Sequence, residues 1–103
     1  MKKSDMIEAI VKETRERYEK LAEARVTMAR LYPDLRGQGF LKAENIIGAE
    51  PFVEHINYMW YEAVTIRNML GIKDQFCMTD RCSALHTAFY RWAENGEDLP
   101  NNI

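Results

Sequence analysis

The sequence predicts an all-α protein, a small helical bundle of three main helices plus one or two short ones. Three observations predict it. Apolar residues recur at steps of three and four, and no segment alternates with a period of two. Glycine and proline are few, five and three in 103 residues, and they punctuate the periodic segments. Hydrophobic residues make up 47% and charged residues 29%, a balance that supports a packed core and argues against disorder. The length fits one domain over residues 1–103.

The first helix is expected to be the longest. Ser4 is a good N-cap, with Asp5 in the first turn where its charge suits the helix dipole. Ile7, Val11, Thr14, Tyr18, Leu21, Met28 and Tyr32 form a seam, with Arg25 in the missing slot. Glu8–Lys12, Glu13–Arg17 and Glu16–Lys20 are i,i+4 pairs of favoured order on the solvated side. Pro33 ends the helix by disfavouring helical geometry at Tyr32. About 28 residues at 1.5 Å each make a rod roughly 40 Å long.

"PDLRGQG" reads as a loop and "FLKAENII" as a short helix stopped by Gly48. Pro51 at a first helical position opens a second long helix of about 20 residues, and Gly71 stops it. Thr79 or Asp80 starts a third, about 15 residues long, which ends near Glu94–Asn95–Gly96. Residues 94–103 are expected as an extended, partly mobile tail.

"HINYMWYEAVTIRNML", from His55 to Leu70, raises the functional question: core wall or site lining? On a helical wheel Phe52, Val53, Ile56, Met59, Trp60, Ala63, Val64, Ile66 and Leu70 share a broad arc. The arc predicts a central helix touched on two sides, with Trp60 in the core. Tyr58, Tyr61 and Met69 fall on the polar side, an amphipathic surface of the kind enriched at interfaces. In the last helix Cys82, Leu85, Phe89 and Ala93 form the core stripe. Tyr90 and Trp92 sit at its margins and join the candidate interface set. Arg25 and Arg67 interrupt apolar faces. Each needs a carboxylate, a route to solvent, or an anionic ligand, so the space between them is the candidate ligand site.

The chemistry the sequence lacks is informative. "G-x-S-x-G" and "H-E-x-x-H" do not occur, and "GQG" at Gly37–Gly39 lacks the rest of a phosphate loop. Glu54 and His55 are adjacent and diverge on a helix, which does not suit a di-metal bundle. His55, Tyr58 and Glu62 share a face but offer too few ligands for a metal. Glu13, Glu16, Glu19 and Glu23 are interleaved with cations, unlike the clustered acids of all-α nucleotide pyrophosphohydrolases. Cys77 and Cys82 are poorly spaced for zinc and are expected as reduced, buried thiols. The net charge of −2 and pI near 5.7 supply no cationic excess for a phosphate backbone.

The sequence therefore predicts a non-enzymatic protein–protein interaction module without cofactor or metal, such as an adaptor, assembly factor or inhibitor. Compact chains of this kind occur among phage and mobile-element accessory proteins, an analogy at fold level only. The long first seam predicts a homodimer. The N-terminal segment is too charged for a signal peptide, and no membrane-length apolar run occurs, so a cytoplasmic location is expected. Two other readings are a small enzyme or sensor holding an anion at Arg25 and Arg67, and a nucleic-acid module using Arg15, Arg30, Arg36 and Lys42.

Overall fold

A computed structural model describes residues 2–72 and 79–101 of the chain. These residues form an all-α bundle of α1 (Lys3–Leu31), α2 (Phe40–Gly48), α3 (Pro51–Met69) and α4 (Asp80–Asn95), with a 3₁₀ turn over Pro33–Leu35. The four helices match the expected number and order. Pro51 occupies the first turn of α3. Thr79 caps α4 by accepting a hydrogen bond from the Cys82 amide, and Gly96 ends that helix in the left-handed region. Ser4 is not the cap expected of it. The first helix already includes Lys3, and Lys2 stands at the N-cap without a side-chain bond.

The central helix is α1, not α3. Leu21, Ala22, Ala24, Val26 and Ala29 are all buried. At about 100° per residue they span an arc of roughly 200°, more than one partner can cover. Arg17 donates to the Met59 carbonyl at 2.7 Å, the Tyr18 and Trp60 rings lie 5.5 Å apart, and the Tyr32 hydroxyl donates to Glu50. These three contacts make α3 antiparallel to α1. At its start α4 pairs Arg81 with Glu23 at 2.9 Å. At its end the Trp92 and Ala93 carbonyls accept from the Gly37 and Gly39 amides, so α4 runs parallel to α1. Most contacts of both helices are with α1, and hardly any join α3 to α4.

Because α4 begins beside Glu19 and Glu23, the first half of α1 extends beyond it. The molecule measures 49 × 25 × 19 Å, with a radius of gyration of 15.2 Å, against about 13 Å for a compact chain of this length.

The broad apolar arc of α3 resolves into a narrow stripe. Val53, Ile56, Ala63 and Arg67 are buried, at strict steps of three and four when Trp60 is included. Phe52 and Ile66, expected in the core, are exposed, because α3 rests on α1 alone along most of its length.

The two tryptophans exchange places relative to expectation. Trp92, assigned to the interface set, is 4% exposed, stacked on Phe89 at 6.0 Å. The loop after the 3₁₀ turn folds back over the end of α4, giving that helix a second covered side that a single-helix projection cannot foresee. Trp60, expected in the core, is only half-buried beside Tyr18 and Tyr61.

The tail starts at Gly96 and is tied down as far as it is described. Leu99 packs on the core, Arg36 donates to the Gly96 carbonyl at 2.6 Å and pairs with Asp98 at 2.8 Å, and Arg30 donates to the Pro100 carbonyl. Gly37 and Gly96 sit back to back, both at φ 72°. A Cβ on Gly37 would meet the Gly96 Cα at 3.4 Å.

Two stability outcomes follow from this packing. In chemical denaturation Trp92→Ala should lose about 3–5 kcal/mol, and Trp60→Ala clearly less. Gly37→Ala combines a left-handed backbone with the tight approach to Gly96 and should lose about 1–2 kcal/mol.

Candidate interaction surface

The exposed side of α3 follows from its buried stripe. On the wheel the direction opposite Val53, Ile56, Ala63 and Arg67 is occupied by Glu54, Tyr58, Thr65 and Met69, flanked by Tyr61 and Glu62, with Ile66 further round. A solvated helix ordinarily carries polar and charged residues at that pole, and in α3 large apolar and aromatic side chains share it with Glu54 and Glu62. Here Tyr58 is 64%, Tyr61 57% and Met69 81% exposed. A shallow depression of about 460 Å³ is lined by Tyr58, Tyr61, Glu62, Thr65 and Ile66.

Two local contacts order the surface. The Thr65 hydroxyl donates to the Tyr61 carbonyl at 2.8 Å, which satisfies it on its own helix. The Tyr61 ring packs edge-on against Trp60 at 5.0 Å, which limits the freedom it would lose on binding.

The structure divides the expected interface residues. Tyr58, Tyr61 and Met69 come together, and Ile66 joins them. A strict 3–4 repeat through 53, 56, 60, 63 and 67 would have left Ile66 outside the core, and that signal was present in the sequence. Tyr90 is exposed on α4 against Phe40, with ring centroids 5.2 Å apart, separate from the α3 stripe. Trp92 is buried and belongs to no surface.

Arg25 and Arg67 are not brought together. Counted from the Tyr18–Trp60 contact, Arg25 lies seven residues along α1, and Arg67 lies seven residues along the antiparallel α3. They sit about 20 Å apart along the bundle at 1.5 Å per residue, so no small anion touches both. Arg25 pairs with Glu44 of α2 at 3.3 Å. Arg67 is 8% exposed, stands in the last turn of α3 where the helix dipole favours a cation, and is not a free cation. Of the basic residues considered for nucleic acid, Arg30 and Arg36 hold the tail, while Arg15 and Lys42 are exposed.

The junction of α1, α3 and α4 holds the remaining chemistry-bearing groups. Tyr18 lies between Trp60 and His86, with the His86 ring 5.0 Å away. Burial lowers the His86 pKa from 6.5, and Arg25 adds to the effect. Burial raises the Tyr18 phenol, with Cys82 adding and Arg25 opposing. Burial, then Glu19 and Glu23, push the Cys82 thiol up to about 11. At neutral pH all three are uncharged, so this cluster presents a thiol rather than a thiolate nucleophile. Cys77 lies outside the described residues. No group of three or more His, Cys, Asp or Glu with metal-binding placement occurs among the described residues, and none of their helices is long and apolar enough to cross a membrane.

The chain matches no protein-family model, no curated protein and no solved structure.

His86 should make stability depend on pH. Its folded pKa lies below the unfolded value near 6.5, so the unfolded chain binds the proton more readily. The stability carried by neutral His86 is complete above about 6.5 and is lost as pH falls below it, toward the folded pKa. Denaturation midpoints measured between pH 7.5 and 5.5 should decline toward the acid side, and His86→Leu should flatten that part of the profile.

Proposed function

We propose that this protein is a non-enzymatic protein–protein interaction module that presents the outer pole of α3 to a partner, in the manner of an adaptor, assembly factor or inhibitor. The observation that carries the reading is the stripe Tyr58–Tyr61–Met69, three large side chains exposed together at the outer pole that also carries Glu54 and Glu62. Large amphipathic side chains with few rotatable bonds are the residue types that dominate binding energy at interfaces. Ile66 widens the stripe.

Tyr58→Ser combined with Met69→Ser tests the reading. Both side chains are exposed, so the thermal midpoint should move little, while affinity for the partner should fall by about tenfold or more. Sedimentation at micromolar concentration separates two kinds of partner. A species near twice the 12.1 kDa chain mass that the double substitution dissociates assigns the stripe to a second copy. A 12.1 kDa species assigns it to a different protein. Wild-type binding to an identified partner by the doubly substituted protein would remove α3 from the interface.

A further inference from the structure

Resting on that reading, we infer that the α3 stripe takes a basic amphipathic helix of a different protein, with cations spaced seven or eight residues apart. The charge pattern of α3 points to this occupant. Its only lysine or arginine is Arg67, which is buried. Its acidic residues are Glu54 and Glu62, both exposed. They project about 40° to either side of Tyr58 on the wheel, Glu54 in line with the apolar ridge one turn before Tyr58 and Glu62 on its flank.

The spacing sets the register. Glu54 and Glu62 are eight residues apart, about 12 Å along the axis. Two cations one pair of turns apart on a partner helix match that distance. The ridge from Tyr58 to Met69 advances in steps of three, four and four through Tyr61 and Thr65, and rises about 16 Å. A straight ridge of that length on a helix accepts another helix laid along it.

The same charges weigh against other occupants. Two copies of the stripe face to face would present four carboxylates and no exposed Lys or Arg from α3. Nucleic-acid phosphates and anionic lipid headgroups would be repelled. Among the described residues, Arg17 and Lys20 of α1 meet Phe52 and Met59 of α3 in a separate groove. There Arg17 is already bound to Glu13 and to the Met59 carbonyl.

The probes are two capped 18-residue helices with leucine along one face, one bearing lysine and the other glutamate at every remaining position. Each is titrated into the isotope-labelled full chain, and backbone amide shifts are followed in NMR spectra. The expected result is binding of the lysine peptide with shifts centred on residues 54–69. Glu54→Lys with Glu62→Lys should weaken that binding by at least about tenfold and confer binding of the glutamate peptide. Raising salt should weaken the wild-type complex. Equal binding of both peptides to the wild type, or lysine-peptide binding that survives the charge reversal, overturns the charge selection. So does dimerisation of the free chain through the stripe. Each of those outcomes leaves the stripe as an interface. Shifts that avoid residues 54–69, or that Tyr58→Ser with Met69→Ser does not abolish, overturn the docking reading as well.

Discussion

Everything in this fold depends on enclosing the second half of α1. Between Leu21 and Ala29 that helix is buried over more than half its circumference, by α3 on one side, α4 on another and α2 near its end. Three of the five buried side chains are alanines. A methyl group at a helix contact permits close approach of the neighbouring backbone, and Ala43, Ala63 and Ala93 repeat the arrangement from α2, α3 and α4. The bulky share of the core comes from Val26, Ile47, Val53, Leu85, Phe89 and Trp92.

One end of the molecule is therefore layered and the other is not. Around α1's second half the chain supplies two long helices, a short one, the 3₁₀ turn and the anchored tail. Toward Lys3, α4 has not yet begun, and among the described residues α3 is the main helical neighbour. A helix resting on a single neighbour buries one stripe and exposes the rest. That geometry puts Tyr58, Tyr61, Ile66 and Met69 outside, and it leaves Arg67 as the stripe's last buried member.

Much of the exposed face of α3 was legible in the sequence because it depends on one helix alone. Tyr58, Tyr61 and Met69 diverge from the apolar majority of their helix whatever packs against it. Ile66 lies outside the core because the buried stripe of α3 is narrower than its apolar arc. The width of a buried face is set by the number of neighbours, and one helix does not encode that number. Arg25 and Arg67 do not share one site for a related reason. Each interrupts an apolar face, but whether two such positions meet depends on helix direction, and the antiparallel register carries them apart.

The sequence by itself determined the helices. Pro33, Pro51, Thr79 and Gly96 act within a few residues of themselves, and backbone geometry and capping are local effects. It also determined which side of α3 would bear tyrosine and methionine. The tertiary structure decided which helix is central, which tryptophan is buried and how the tail is held. Those outcomes rest on contacts between residues far apart in the chain, such as Gly37 with Trp92 and Arg36 with Asp98. Helical periodicity does not encode the loop that returns over the end of α4 beside Trp92, nor the single neighbour that leaves Trp60 half-buried at the edge of α3.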